Sequence, residues 1–300
     1  MKQLVCKSCG RTVDVPEELD VFSCVYCGAK NAIVPDPVPD LPAEELAALE
    51  PLYPLCFEHR DMYLKRFAKK DYVDAFFAYE AQIRPLFTAM DALLCRESGW
   101  AEALGDALLD AKLRFHEGEK GWKSKAGRER ILFDAKLLMA WFTLPAIKDL
   151  NLPTGELLAE AVYQSFLKRY PKEPIQSGTF EEINSGFRKR GLCFITTAVC
   201  EFEGKADDCA ELTVFRAYRD GVLAREPGGP VLIAEYYRVA PGVVMALDQT
   251  PDRAARYARI RREWLTPCYD DLLAGRTDAC RERYTEMVRT LEAELCPFLS

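Results

Sequence analysis

Two Cys-x-x-Cys pairs near the N-terminus constrain this 300-residue chain more than any other feature. Cys6 and Cys9 form the first pair, Cys24 and Cys27 form the second, and fourteen residues separate the two pairs. The two thiolates of one pair can reach a single metal ion, and a hairpin can bring the second pair round to complete a tetrahedron of sulfur ligands. We therefore predict that these four cysteines bind one structural zinc ion.

The residues that follow each pair support the same prediction. Gly10 and Gly28 come directly after the pairs, where a glycine can adopt positive φ and let backbone N–H groups turn toward the sulfurs. A short apolar run and a proline follow in both halves. This pattern resembles a zinc ribbon, and it predicts a small β unit over residues 1–34. The alternative, two reduced or redox-active pairs, would need a βαβ pattern that this segment lacks.

Composition and charge narrow the class of protein. The formal net charge is −7, which argues against general binding to nucleic acid or to an anionic membrane. Twelve cysteines among 300 residues are too few for a disulfide scaffold. No apolar signal segment follows Met1, and no run approaches the roughly 18 apolar residues of a membrane helix. We therefore expect a cytoplasmic protein with reduced thiols and no membrane segment.

Prolines and hydrophobic periodicity divide the rest of the chain. Four prolines fall within residues 35–42, which predicts a stiff, extended linker. Residues 43–190 carry apolar side chains three and four positions apart, the period of a buried helix face, and residues 191–300 continue with helical patterns. The predicted fold class is mainly α, with a helical body of two domains and a small N-terminal β zinc ribbon.

Two prolines and one acidic pair predict where helices end and begin. Pro85 is expected to kink or break the helix of residues 71–96, and Pro241 is expected to separate two short apolar helices. Asp208 and Glu211 have the spacing of a capping box, which predicts a helix start at this point.

A second unusual stretch begins at Cys193. It opens as Cys-Phe-Ile-Thr-Thr-Ala and continues through Cys-Ala-Glu-Leu at 209–212, Arg-x-x-Arg-Asp at 216–220 and Glu-Tyr-Tyr at 235–237. Over about the last 110 residues the chain resembles the longer, intracellular type of CFI-box protein. The resemblance implies a helical architecture and brings no established activity. Secreted CFI-box proteins use the box as a C-terminal sorting signal, a role we do not expect here because the signal peptide and terminal hydrophobic tail are missing.

Five cysteines of the C-terminal region are candidates for further chemistry. If residues 193–203 form one helix, Cys193 and Cys200 lie two turns apart, about 10.5 Å along the axis, so at most one of them could join a given metal. Apolar helix faces surround the others, where a free cysteine packs as a small hydrophobe, and we expect buried thiols. The set best suited to a second metal site is Cys200, Cys209, Cys268 and Cys280.

The two histidines and a cluster of arginines are further candidates for functional roles. The two histidines, His59 and His116, lie far in sequence from Cys193, so a cysteine nucleophile with a histidine base is not indicated. An arginine stripe could hold an acidic partner or a phosphate, but we expect a solvated face or pairing with the acidic residues of 201–208. The stripe consists of Arg253, Arg256, Arg259, Arg261 and Arg262.

These features favour a zinc-binding, non-enzymatic protein whose ribbon and helical surface dock a protein partner. A ribbon without excess basic charge is better suited to protein contact than to reading nucleic acid. The alternative is a cysteine- or metal-dependent enzyme or redox sensor centred on the cysteines from Cys193 to Cys280. Nucleic-acid binding through the arginine stripe is the third and least favoured hypothesis. No motif identifies the partner, a substrate or the oligomeric state.

Overall fold

The computed structural model of this chain contains two compact units, Met1–Asp40 and Leu41–Ser300. The predicted linker lies partly outside the described residues, because 35–38 are not among them. The predicted division at residue 190 falls inside the second unit, and residues 189–192 are likewise not described. The structure describes residues 2–16, 19, 21–32, 39–188 and 193–299.

The N-terminal unit consists of two antiparallel β-hairpins. In the first hairpin Leu4 pairs with Val13, and in the second Phe22 pairs with Asn31. Alternate residues point inward, which gives this unit a small core of its own, formed by Cys6, Val13, Val15, Phe22 and Cys24. The strands are β1 Lys2–Val5, β2 Thr12–Val15, β3 Val21–Ser23 and β4 Lys30–Ala32.

The second unit, which we call the helical unit, is built from α-helices and short 3₁₀ turns. Two π-helical segments, Met139–Thr143 and Arg261–Leu265, each join two successive α-helices. The helices are α1 Ala43–Leu49, α2 Arg60–Lys65, α3 Tyr72–Arg96, α4 Ala101–Glu117, α5 Lys125–Leu138, α6 Leu144–Asp149, α7 Gly155–Arg169, α8 Phe180–Arg188, α9 Phe194–Phe202, α10 Ala210–Gly221, α11 Gly229–Asp248, α12 Arg253–Ile260, α13 Thr266–Leu273 and α14 Thr277–Leu295.

The predicted fold class, mainly α with a small N-terminal β region, is confirmed. One hydrophobic cluster runs through the whole helical unit, from Leu49 to Leu299. At its centre the rings of Phe67 and Trp141 stack with centroids 3.9 Å apart, and Phe187 of α8 packs edge-on against Phe67. Stacked and edge-on rings add about 0.5–1.5 kcal/mol beyond the area they bury.

The helix break predicted at Pro241 is wrong, and of the kink or break predicted at Pro85 the break does not occur. α3 continues through Pro85 for 25 residues, and α11 continues through Pro241 for 20 residues. A proline inside a helix costs about 3 kcal/mol, whereas each fully buried large apolar side chain contributes about 1.5–3 kcal/mol. Ile83, Leu86 and Phe87 flank Pro85 and are fully buried, so packing outweighs the lost hydrogen bond.

The helix start predicted near Asp208 is confirmed, because α10 begins at Ala210, but the predicted capping box is wrong. The N-cap position is Cys209, and it makes no side-chain cap hydrogen bond. The carboxylate of Glu211 instead accepts hydrogen bonds from Lys205 at 2.8 Å and Arg261 at 3.2 Å. Lys205 and Arg261 lie outside the helix and bind this carboxylate. The spacing of Asp208 and Glu211 in the sequence gives no information about such partners.

α11 has a property that the sequence analysis missed. By length and composition alone this helix could cross a membrane, and in the described part of the chain it is the one that passes this test. Its second half is buried in the core, with Val239, Ala240 and Val243 fully inaccessible, and it packs against α9 and α14. A core helix of a globular domain has the same composition, so the test is weak evidence for a membrane span.

Candidate metal centre

The two cysteine pairs occupy the tips of the two hairpins, and both tips have the same backbone geometry. The N–H of Gly10 donates to the carbonyl of Cys6 at 2.8 Å, and the N–H of Gly28 donates to the carbonyl of Cys24 at 2.8 Å. Both glycines have positive φ, +73° and +72°. An L-residue with a Cβ rarely adopts this conformation, so these glycines allow the chain to turn tightly around the sulfurs.

The four predicted ligands come together in space. All four sulfur atoms lie within 4.8 Å of one another. Cys6 Sγ is 3.7 Å from Cys27 Sγ, and Cys9 Sγ is 3.6 Å from Cys24 Sγ. Two sulfurs bound at about 2.3 Å to a tetrahedral metal lie about 3.8 Å apart, whereas disulfide sulfurs lie about 2.05 Å apart. The spacing therefore suits metal ligands, and this cluster can hold a metal ion.

The electrostatics of the site also suit a cation. The backbone N–H of Cys9 donates toward the sulfur of Cys6 and lowers the pKa of that thiol to about 6. The backbone N–H of Arg11 lowers the pKa of Cys9, but burial and the neighbouring sulfurs outweigh it and raise that pKa to about 11. Four sulfurs at this distance compete for negative charge, and a divalent cation allows all four to be thiolates.

Asn31 is a residue of this site that the sequence analysis missed. It is 5% exposed, and its Nδ2 donates to Cys6 Sγ at 3.4 Å and to the carbonyl of Ala29 at 2.9 Å. Its Oδ1 accepts from the backbone N–H of Lys7 at 2.8 Å. Hydrogen bonds of this kind orient metal ligands and stabilise their charge. The sequence feature that could have indicated this role is the position of Asn31, a polar residue at the inward-facing position of the short strand β4.

One side of the centre faces solvent. Cys6 and Cys24 are buried in the small core, whereas Cys9 and Cys27 are exposed. The guanidinium of Arg11 lies 5.0 Å from the ring centre of Tyr26. The exposed large apolar side chains of the described part of this unit are Val5, Leu19, Val21, Val25 and Tyr26.

The C-terminal cysteines form two separate pairs. The ligand atoms of Cys200, Cys209 and Glu211 lie within 4.8 Å of one another. Cys268 Sγ donates to the carbonyl of Cys280 at 3.8 Å, and both residues are fully buried. In the described part of the chain, these two pairs do not join into the four-cysteine set considered for a second metal.

The group around Cys200 is poorly suited to a metal. Burial and the neighbouring Cys209 raise the pKa of the Cys200 thiol to about 12. The one carboxylate of the group, on Glu211, is already bound by Lys205 and Arg261. A metal ion would have to displace both cations and ionise a buried thiol.

The CFI-box-like motifs converge on one small apolar cavity. Cys193, Tyr236 and Tyr284 line this cavity of about 90 Å³. Arg219 Nη1 lies 3.7 Å from Cys193 Sγ and donates to the hydroxyl of Tyr237 at 3.0 Å. Burial raises the pKa of Cys193 even though Arg219 opposes it, so the thiol is held neutral.

Neither histidine is placed to act as a base for these cysteines. His116 of α4 hydrogen-bonds Glu119 and lies beside Arg60 of α2. His59 is exposed and has a positive φ of 61° immediately before α2. Among the described residues, neither histidine has a hydrogen bond to a C-terminal cysteine.

Every arginine of the arginine stripe has an acidic partner. Arg261 pairs with Glu203, as expected from the acidic residues of 201–208, and also with Glu211, which lies outside that segment. The other pairs are Arg253 with Asp248, Arg256 with Asp252 and Glu294, Arg259 with Glu294, and Arg262 with Glu263. The positive charge of the stripe is therefore compensated within the protein.

No protein-family model, no curated protein and no solved structure matches this chain. The comparisons therefore give no support to the resemblance to CFI-box proteins. The geometry of the sites carries the functional argument.

Proposed function

We propose that Cys6, Cys9, Cys24 and Cys27 bind one structural zinc ion, and that the resulting zinc ribbon docks a protein partner in a non-enzymatic role. The observation that carries the metal proposal is the sulfur spacing of 3.6 and 3.7 Å. A tetrahedral set of four thiolates selects zinc or iron among the common metals. Zinc with four protein ligands has no open position for a substrate, which is the mark of a structural site.

The size of the N-terminal unit supports a structural role for the ion. Among the described residues of this unit, the apolar core consists of Val13, Val15 and Phe22 besides two of the cysteines. A core of this size is too small to fold a unit of about 40 residues without a further constraint. Metal binding supplies that stabilisation in small thiolate sites.

The docking proposal rests on charge and on exposed apolar side chains. Residues 1–34 contain four basic and four acidic residues, and a zinc ion with four thiolates adds about two negative charges. Val25 and Tyr26 lie between two metal ligands and are 77% and 57% exposed. Exposed apolar and aromatic groups on a rigid turn suit an apolar patch on another protein.

Elemental analysis of the full chain tests the metal. We expect one zinc per chain in the wild type, none in the Cys24→Ser variant, and one in Cys95→Ser, which alters an exposed cysteine of the helical unit. Full zinc stoichiometry in Cys24→Ser would refute the ligand assignment. Iron with its characteristic visible absorbance would refute zinc.

A double variant, Val25→Ser with Tyr26→Ser, tests docking while leaving all four ligands in place. Proteins cross-linked to the chain in its native cell are identified and compared with those of Val231→Ser, which alters an equally exposed residue of the helical unit. We expect a defined protein to cross-link to wild type and to Val231→Ser, and to be lost from the double variant. Equal recovery from all three would contradict docking through the ribbon.

The C-terminal region has a structural role in this proposal. Three segments of the resembling region meet at Arg219, which lies 3.7 Å from Cys193 Sγ and donates to the hydroxyl of Tyr237 at 3.0 Å. Cys193 and Cys200 are buried, and in the described part of the chain neither histidine hydrogen-bonds them. This weighs against the alternative of a cysteine-dependent enzyme, because a nucleophilic cysteine needs a base within hydrogen-bond reach. All twelve cysteines are free, which is consistent with the proposed location in the reducing cytoplasm.

A further inference from the structure

Lys112 of α4 has a largely buried side chain and no hydrogen-bond partner among the described residues. It is 7% exposed, and among the described residues no carboxylate or hydrogen-bond acceptor contacts its Nζ. Its closest favourable contact is the ring of Phe166, whose centre lies 5.6 Å from Nζ. Lysines are rarely buried without a partner, because an uncompensated ammonium is costly to remove from water. Lys112 is therefore an amine without a protein partner that a ligand could satisfy.

Lys112 lies on the wall of a large cavity. The cavity has a volume of about 560 Å³, within the range of small-molecule sites. Phe133, Phe166 and Tyr170 form its aromatic surface, and residues of α4, α5, α7, α12 and α14 contribute to the wall. The cavity thus combines apolar area with one unsatisfied polar group.

The other interior charges of this cavity are already paired. Lys136 binds Glu173 at 2.7 Å and the carbonyl of Gln249 at 2.6 Å. The remaining charged groups of the wall also have partners. These pairs are Arg256 with Asp252, Glu129 with Lys125, Arg130 with Asp134, and Glu294 with Arg259. Lys112 is the remaining ionisable group without a protein partner among the described residues of this cavity, and its protonated form would pair with an anion.

From this arrangement, we propose that the cavity binds a small aromatic or branched monocarboxylate, with the carboxylate paired to Lys112 Nζ and the apolar body against Phe166, Phe133 and Tyr170. This site is independent of the metal centre and of the proposed docking role.

The composition of the wall favours one negative charge on the ligand. Four carboxylates, those of Glu129, Glu173, Asp252 and Glu294, line the same cavity, so a phosphate dianion would meet more repulsion than a carboxylate. The described lining also has no glycine-rich loop, the usual cradle for phosphate. A single carboxylate needs one partner, and Lys112 provides it.

The surroundings of Lys112 make the site sensitive to pH. Burial, followed by the nearby Lys136 and Arg60, lowers the pKa of Lys112 to about 7. A bound carboxylate favours the protonated amine, so binding is coupled to proton uptake and weakens as pH rises above 7. The other ionisable groups facing this region are His116, Arg130, Tyr170, Glu129, Glu173, Asp252, Arg256 and Glu294.

Ligand-observed NMR titration of the full, metal-loaded chain with benzoate tests the proposal. Benzamide is the matched neutral ligand, because it has the same shape without the charge. We expect benzoate to bind at least tenfold more tightly than benzamide to wild type and to Lys123→Met, which alters an exposed lysine. In Lys112→Met the two ligands should bind equally. Between pH 7.5 and 8.5 the benzoate affinity of wild type should fall by up to about tenfold.

Lys112→Gln is measured in parallel, so that the result does not depend on how methionine fits the site. The near-UV circular dichroism of both variants should match wild type, since removing a buried unpaired charge does not disrupt packing. Loss of benzoate preference in both variants, with retention in Lys123→Met, supports the proposal. Equal binding of benzoate and benzamide to wild type, no detectable benzoate binding, or unchanged preference in either Lys112 variant would overturn it.

Discussion

Asn31 in the second hairpin hydrogen-bonds Cys6 in the first, with Nδ2 3.4 Å from Sγ. The same side chain accepts from the backbone of Lys7 at 2.8 Å. One buried amide therefore fixes the position of the first cysteine pair relative to the second. It also supplies a donor to a sulfur that must carry negative charge when metal is bound.

Asn31→Asp should weaken metal binding. The carboxylate would place a negative charge beside Cys6 Sγ and remove the donor that faces it, so we expect zinc affinity to fall about 10- to 100-fold. Competition with a chromophoric chelator measures the affinity. Ser23→Asp, at an exposed position of β3, is the control for an added charge and should bind zinc like wild type. Equal affinity of both variants would show that Asn31 does not support the site.

The buried His116 should make folding sensitive to acid. Burial lowers the pKa of this imidazole to about 4, although Glu119 opposes the shift. Because the unfolded chain binds this proton near pH 6.5, the folded state loses stability as pH falls from about 6.5 to 4. We expect His116→Gln to reduce the loss of unfolding free energy between pH 7.5 and pH 5 by about 2 kcal/mol.

Urea unfolding of wild type and variant at the two pH values measures this difference. His59→Asn is the matched control, because His59 is exposed and asparagine tolerates its positive φ of 61°. The control should retain the full pH dependence of wild type. An equal slope in His116→Gln would mean that other groups are responsible for the acid sensitivity.

Cys268→Ala should destabilise the helical unit without changing its metal content. The thiol is fully buried, and its hydrogen bond with Cys280, together with burial, raises its pKa. Loss of the sulfur leaves a small cavity, which should cost about 1 kcal/mol of unfolding free energy or somewhat more. Cys95→Ala, at an exposed position, should cost less than about 0.5 kcal/mol. Loss of one metal equivalent in Cys268→Ala would instead establish a second metal site.

Arg261 and Arg262 should differ sharply although they are adjacent. The Arg261 side chain is 15% exposed and pairs with Glu203 and Glu211, whereas Arg262 is 71% exposed and pairs with Glu263 beside it. We expect Arg261→Ala to cost about 1–2 kcal/mol of unfolding free energy, because it leaves two acidic groups with less compensation. Arg262→Ala should cost less than about 0.5 kcal/mol. Similar values for both would mean that the Arg261 network contributes no more than a surface pair.

The features that could be predicted from sequence are those that depend on short segments of chain. A Cys-x-x-Cys turn closed by a glycine has few possible geometries, so the spacing of Cys6 and Cys9, and of Cys24 and Cys27, was enough to predict a four-cysteine cluster that can hold a metal ion. The apolar period of 3.6 residues identified the helical body for the same reason. Both patterns depend on the geometry of a few consecutive residues, and tertiary packing does not change that geometry.

Helix continuity could not be predicted, because it depends on competing energies. Pro85 and Pro241 weaken their helices locally, and only the surrounding core supplies enough buried area to keep α3 and α11 unbroken. The capping pattern at Asp208 failed similarly, because Lys205 and Arg261 bind the carboxylate of Glu211.

The position of Lys112 depends partly on the sequence of α4 and partly on tertiary packing. Leu104, Leu108 and Lys112 follow one another at four-residue steps along α4, so the sequence alone places the lysine on the buried face. Whether that face holds a partner for its charge depends on α5 and α7, which are brought beside it by contacts between distant parts of the chain. The sequence by itself therefore determined the four-cysteine cluster, the helical period and the face of α4 on which Lys112 lies. Tertiary packing alone decided that Asn31 would meet Cys6 and that Lys112 would face a cavity, because both depend on distances between segments that local geometry does not constrain.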